Sequence, residues 1–456
     1  MQSLVAQNRS EPYSERSPPY RKNADFTQGA SVADGTLLRG RPASTNVRAM
    51  STERTPILVS CARGVSPFLA AELRTLGSPV LAETPTGVET EGTLADAMRL
   101  NLHLRTAQRV LMQIADLRVR TPDELYMRFN RLPWERWLDV DGYLRVASTV
   151  HSDTIRDPRF ATLKAKDGIV DHMRKVSGRR PDTGPSRDHA VVFFYWNRDV
   201  CRVYLDTSGE SLSRRGYRVA TTAAPMQESL AAAIVLATGW SGDTPFLNPM
   251  CGSGTLAIEA ACLAMKRSPA LLRQNFGFMH IKGYDPHAWA AIKNEASSHA
   301  RPMPPGATIV ASDHDPEAVA AAKRNARAAG VEAAISFHVC DFAETPVPPG
   351  SGVVVVNPEY GERMGDATQL APTYKRIGDF FKQRCQGYTG YLFSGNLDLA
   401  KKQGLRPSRR WTLYNGDIEC RLLAYALYAG TKRQSKLAAT QSRQDTPALN
   451  DRSGEG

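Results

Sequence analysis

The stretch Asn248-Pro249-Met250-Cys251-Gly252-Ser253-Gly254-Thr255 closes a short apolar run, residues 245–248, and opens a helix expected over residues 256–266. A strand that turns into a helix through two glycines lets the backbone approach a ligand closely. It also aims free N–H groups into the crevice at the carboxyl ends of the strands. Two glycines after a strand make an ordinary tight turn just as well, so the segments downstream decide between the readings. Apolar runs at 308–313, 335–341, 353–357 and 388–394 alternate with helical periodicity, the pattern of a parallel α/β sheet. The series closes with 411–414, the hairpin signal Asn415-Gly416 and 419–428, so the last strands are expected to run antiparallel.

Each of the next two strands ends on an acid. Asp313, in Ile309-Val310-Ala311-Ser312-Asp313-His314-Asp315, stands where a carboxylate can accept the two hydroxyl donors of a ribose. Asp315 precedes Pro316-Glu317 and is expected to cap the following helix; a cap is the plain alternative for Asp313 as well. Asp341 and Phe342 follow the third strand. There an acid can accept from an adenine amino group while the aromatic packs on the ring; a surface loop acid is the plain alternative.

The fourth strand leads into Val356-Asn357-Pro358-Glu359-Tyr360-Gly361-Glu362-Arg363. An exocyclic amine on a base is a poor nucleophile because its lone pair is delocalised into the ring. The Asn357 side-chain carbonyl and the Pro358 backbone carbonyl can accept its two N–H groups and disperse the positive charge that develops on transfer. Tyr360 can stack on an extruded base and hold the amine in line with a sulfonium methyl. Such chemistry calls for no metal and no nucleophilic side chain, since the cofactor brings its own leaving group.

Upstream the pattern differs. Residues 1–54 are polar, rich in Ser, Arg and Pro, and without sustained periodicity, as is the tail 431–456; both are expected to be disordered. Order begins at the strand Ile57-Leu58-Val59-Ser60-Cys61, followed by a helix that stops at Gly77. Residues 109–117 suit a strand or a helix. Thr121-Pro122-Asp123-Glu124 opens a helix, 143–150 alternates as a strand, and 191–196 with 200–206 forms a hairpin through Asn197-Arg198-Asp199. Between them lies a long basic helix, 157–176.

The net charge of +12 and a pI near 9.4 favour a polyanionic partner. Candidate phosphate contacts are Arg156, Lys164, Lys166, Arg174 and Lys175 on and before the basic helix, and Arg215 and Arg218 in the run Arg214-Arg215-Gly216-Tyr217-Arg218. Seven scattered cysteines with no CxxC pair support neither a zinc site nor a disulfide framework. No run approaches the roughly 20 apolar residues of a membrane span. The N-terminus has no secretory pattern and carries Glu11, Glu15, Asp25 and Asp34, unlike an acid-poor transit peptide. A cytoplasmic protein is expected, its oligomeric state left open.

From about residue 57 to 427 the chain resembles the THUMP-domain RNA methyltransferases, especially the bacterial 23S rRNA guanine-N2 methyltransferases. Besides the two motifs above, the resemblance rests on 101–107, Arg109-Val110-Leu111, Asp123-Glu124-Leu125-Tyr126, Arg215-Gly216-Tyr217-Arg218, Ala224-Pro225 and Tyr414-Asn415-Gly416. It implies a ferredoxin-like segment over 55–95, a THUMP RNA-binding domain over 96–207, and a Rossmann-like methyltransferase domain over 208–430. It implies S-adenosylmethionine (SAM) contacts at Asn248, Met250, Cys251, Gly252, Gly254, Asp313, Asp341 and Phe342, and Asn357 with Tyr360 as the base-positioning pair. The substrate implied is structured RNA, 23S rRNA or a large-subunit precursor. A second, fused methyltransferase domain, carried by some relatives, is not expected within this length. The chain departs from the family at Asn248, where Asp is usual, and at Glu359, where a second proline is usual. The glutamate is expected to loosen the turn and add negative charge near the base. Two further readings follow: methylation of an adenine amine, which the same motif would serve, and an RNA-binding assembly factor that has lost catalysis.

Overall fold

The computed structural model describes residues 53–428 except 153–154, 156, 222–224 and 362–366. The two ends expected to be disordered fall outside the described residues, apart from Glu53 and Arg54, as do Arg156, Ala224, Glu362 and Arg363.

The N-terminal half runs β1 (Thr55–Cys61), α1 (Ser66–Thr75), β2 (Ala82–Thr84), β3 (Gly87–Gly92), α2 (Leu94–His103), β4 (Ala107–Arg118), α3 (Pro122–Arg131), β5 (Tyr143–His151), α4 (Pro158–Ser177), β6 (Asp182–Thr183), β7 (Ala190–Asn197) and β8 (Val200–Asp206). Its strands form one mixed sheet in the order β2-β3-β1-β4-β8-β7-β5-β6. β4, whose residues suit either a strand or a helix, is a strand because β1 and β8 both take up its backbone hydrogen bonds. Local helix starts follow the sequence: Thr93 and Asp96 form a capping box on α2, and Thr121 caps α3.

The C-terminal half runs α5 (Glu228–Ala237), β9 (Phe246–Pro249), α6 (Thr255–Ala264), α7 (Pro286–Ser298), β10 (Ile309–Asp313), α8 (Pro316–Ala329), β11 (Ile335–Val339), β12 (Val353–Val356), α9 (Ala367–Arg384), β13 (Thr389–Ser394), α10 (Leu397–Lys401), β14 (Arg409–Asn415) and β15 (Ile418–Ala426). The sheet order is β11-β10-β9-β12-β13-β15-β14, parallel from β11 to β13, with β15 antiparallel to both its neighbours. β9, β10 and β12 are buried along their whole length, as a parallel sheet covered on both faces requires. Phe246, Ala311, Val353 and Val355 pack into one core layer. Leu247, Val310, Val354 and Val356 face the other way, under Tyr374, Ile377, Phe380 and Phe381 of α9. Strand order reverses between β9 and β12, which opens a crevice at their carboxyl ends. The glycine turn and Asn357 both emerge there.

The halves meet where Arg105, before β4, donates to the Arg267 carbonyl (2.6 Å), and the segment that joins them is held by buried charge. Asp206, 1% exposed, accepts from Arg109 (2.7 Å) and Arg187 (3.3 Å). Arg273 donates to the carbonyls of Ser208 (3.1 Å), Glu210 (3.0 Å) and Ser211 (2.6 Å). Multiple hydrogen bonds to each charge are what make such burial tolerable.

Candidate active site

The turn after β9 is shaped by its backbone. Met250, Gly252 and Gly254 all take positive φ, at 55°, 53° and 82°. At Gly254 a Cβ would also stand 2.8 Å from the Cβ of Ala322 on α8, so no side chain fits. Asp313, at the end of the neighbouring β10, braces the turn: its Oδ2 accepts from the Gly252 N–H (2.9 Å), and Oδ1 accepts from the Asp315 N–H (3.1 Å). The Cys251 N–H donates to the Ser312 carbonyl (2.9 Å). Asp315 itself caps α8 through the Glu317 N–H (2.8 Å), as expected. Burial, and then the nearby Asp313 charge, push the Cys251 thiol far up, so it stays a neutral lining group at any working pH.

Three buried side-chain amide oxygens stand without a partner among the described residues, and two of them, Oδ1 of Asn248 and Oδ1 of Asn357, lie at this crevice. They belong to the carboxyl ends of adjacent strands, since β9 and β12 pair in parallel. Asn248 donates its Nδ2 to the Val355 carbonyl (3.2 Å). An aspartate could not donate there, which gives the departure at 248 a physical consequence: a cross-strand bond in place of a charge. A buried acceptor without a donor costs free energy, and two at the mouth of one crevice mark a place built to receive donors.

The loop after β12 is held from behind. Pro358 is buried and Glu359 exposed. The Tyr374 hydroxyl donates to the Glu359 carbonyl (3.0 Å) and bonds with Ser394 Oγ (2.9 Å). Burial pushes that hydroxyl up to about 12, so it remains a proton donor. The Glu359 side chain thus faces solvent while its carbonyl is held by Tyr374. Tyr360 is half-buried. Its hydroxyl accepts from Asn415 Nδ2 (2.7 Å), and a Cβ at Gly395 would stand 2.9 Å from its ring. Tyr374 and Gly395 escaped the sequence reading; Asn415 entered it as a hairpin signal and as part of the family resemblance, not as the tether it is.

Asp341 accepts from the Ala343 N–H (2.9 Å) and from Arg376 of α9 (2.7 Å). Burial works to raise its carboxyl, but these bonds and the Arg376 charge hold it below the usual aspartate range. Phe342, expected to pack on an adenine ring, has little free surface. The ring is 5% exposed, packs against Phe380 (6.3 Å between centroids) and lies under the Arg376 guanidinium at 4.8 Å.

The fold agrees with the comparisons. The chain matches the RlmL ferredoxin-like domain over residues 56–111, the THUMP domain over 119–206 and the RMKL-like methyltransferase domain over 215–424. A Synechocystis protein named "Putative RNA methyltransferase slr0064" is 33% identical over 380 residues, which cover 83% of this chain and 99% of that protein. The chain belongs to the THUMP-domain RNA methyltransferases. The ribosomal RNA large subunit methyltransferase K/L of Syntrophotalea carbinolica is 37% identical over 375 residues, 80% of this chain and 52% of that protein. The chain spans about half the length of that and similar curated relatives. Among solved structures, a "putative methyltransferase complexed with SAH" matches at a TM-score of 0.75 and 27% identity, covering 83% of this chain and 100% of that one. A structure from Listeria monocytogenes, titled a predicted N6-adenine-specific DNA methylase, matches at 0.74 and 29%, covering 82% and 97%. The cofactor of this methyltransferase fold is SAM. The crevice suits it: a cradle with no room for a Cβ, a carboxylate beside it and orphaned acceptors at its mouth.

Two of the methyltransferase's expected phosphate contacts are internal. Arg215, 1% exposed, donates to the carbonyls of Leu212 (2.6 Å) and Arg105 and lies 3.5 Å from Glu259. Arg218 pairs with the buried Glu228 (3.0 Å) and reaches Ser253 and Thr255 (both 3.2 Å), bracing the glycine turn. The run looks like a charged surface in sequence because no acid lies within it: Glu228 lies 10 residues beyond Arg218 and Glu259 farther still. On α4, Lys164 pairs with Asp123 (2.9 Å) and Lys166 with Asp167 (3.6 Å), while Arg174 and Lys175 are exposed in the last turn.

Proposed function

We propose that this chain methylates the exocyclic N2 amine of a guanine in structured RNA, with 23S rRNA or a large-subunit precursor as the substrate, in the cytoplasm. The observation that carries the reading is the buried, unpartnered Asn357 Oδ1 beside the glycine turn. When bound, SAM supplies an electrophilic methyl group and a sulfide leaving group. Gly252, Gly254, Met250, Cys251 and Asn248 would line its cradle, Asp313 its ribose, and Asp341 its adenine amine. Asn357 Oδ1 and the Pro358 carbonyl would each accept one N–H of the target amine and disperse the charge that builds on nitrogen. Tyr360, tethered by Asn415, would hold the extruded base by stacking. The product amine then loses a proton to water.

Large-subunit relatives support RNA as substrate and the THUMP match supports an RNA-presenting half. Among the described residues no helix is long and apolar enough to cross a membrane. Adenine-N6 is the second reading, because a pair of carbonyl acceptors serves any planar amine and one structural relative is titled an adenine methylase. The pinned Glu359 backbone weighs against an assembly factor disabled by that residue. Nucleoside mass spectrometry of rRNA from a deletion strain tests the proposal. Loss of one N2-methylguanosine supports it; loss of N6-methyladenosine instead favours the second reading, and unchanged methylation at every site sinks both.

A further inference from the structure

We propose that a groove between α3 and the β7–β8 turn grips the phosphodiester backbone of structured RNA. This deepens the RNA reading above and rests on it.

Leu125 and Phe129 turn one side of α3 into the core. Glu124, Met127, Arg128 and Arg131 fall at i, i+3, i+4 and i+7, so they share one stripe of the helix. That stripe forms one wall of an open groove of about 550 Å³ whose other residues are Arg118, Arg120 and Asp199. The walls are fixed to each other. The Val119 N–H donates to the Asp199 carbonyl (3.0 Å). The buried Trp196 indole donates to the carbonyls of Val119 (3.0 Å) and Arg198 (2.9 Å). The Arg120 N–H donates to Glu124 (2.7 Å). Arginines carried on backbone held this way are preorganised for a ligand.

Charge then decides which ligand. Four arginines face two carboxylates, Arg118 being paired with Asp199 at 2.7 Å. Arg128 and Arg131 have no acidic partner among the described residues. On α4, by contrast, Lys164 and Lys166 are each answered by an aspartate. A surplus of guanidinium groups, each able to fork two N–H donors onto phosphate oxygens, suits a polyphosphate chain better than a single small anion. The groove lies inside the segment that matches the THUMP domain, apart from Arg118 beside its start.

The test is equilibrium binding of the full chain to an in vitro large-subunit rRNA transcript across a salt series. Three triple variants are compared with the natural protein: Arg118→Ala/Arg128→Ala/Arg131→Ala, the same three positions as Arg→Lys, and Lys164→Ala/Arg174→Ala/Lys175→Ala on α4. SAM affinity measured on each preparation checks the fold. Each lost phosphate contact removes roughly 0.7–0.9 from the slope of log K against log salt. The groove Ala variant should therefore have a slope shallower by about 2, with affinity at 0.1 M salt down by roughly tenfold or more. The Lys variant should keep most of the slope, and the α4 variant should lose less than the groove variant. An unchanged slope in the groove Ala variant overturns the proposal, as does a Lys variant that loses as much as the Ala one. Because binding is read without turnover, a failure of guanine methylation leaves this result standing. RNA that does not bind the natural protein at all would overturn both.

Discussion

Asn357→Ala separates a catalytic acceptor from a structural one, because the two roles predict opposite signs for stability. The Asn357 oxygen is buried and unpaired in the protein without ligands. Such an acceptor costs about 1–3 kcal/mol, and truncating a half-buried side chain costs about 1 kcal/mol in lost packing. The difference leaves stability level or raised by up to about 2 kcal/mol, a Tm shift of zero to roughly +8 °C for a domain of this size. Turnover should move the other way. Removing one preorganised group aimed at developing charge costs about 10²–10³ in kcat, or about 2.7–4 kcal/mol. The assay is methyl transfer from labelled SAM to a large-subunit rRNA transcript, with a melting curve and calorimetric SAM affinity on the same preparation. SAM affinity should change little, since the amide meets the amine and not the cofactor. A kcat within about threefold of the natural value, or a Tm lowered by more than about 4 °C, would refute the reasoning.

Tyr374→Phe removes the donor that pins the Glu359 carbonyl, and should cost about 1–2 kcal/mol of stability and lower kcat more than SAM affinity, read by denaturant unfolding and calorimetry. Gly254→Ala forces a Cβ against Ala322 at a left-handed φ; it should weaken SAM binding at least tenfold and cost about 1–3 kcal/mol, both measured by titration and melting. Glu359→Pro should raise kcat less than about tenfold, because the backbone is already held; a larger gain would mean that the glutamate itself hinders catalysis. Arg218→Ala should lower Tm through the buried, unpaired Glu228 it leaves behind; in RNA titrations its salt slope should match that of the natural protein, whereas a phosphate contact would make it shallower by roughly 0.7–0.9.

The order of strands and helices in the C-terminal half, the glycine turn, the acid ending β10 and the Asn357-Pro358 loop were all legible in the linear chain. Turn chemistry, caps and periodicity act over a few residues, so the chain carries them without knowing its neighbours. The strand at β4 was not legible, because only β1 and β8 supply its partners. Nor were the supports of the loop: Tyr374, Gly395 and Asn415 reach it from α9, from the loop after β13 and from the β14–β15 turn. The basic run at 214–218 shows the limit most plainly. Residue type told that Arg215 and Arg218 carry charge, and folding brought Glu259 and Glu228 to meet it. A cation in water and a cation in a buried pair are the same letters in a sequence; long-range packing alone sets which of the two solvates the charge.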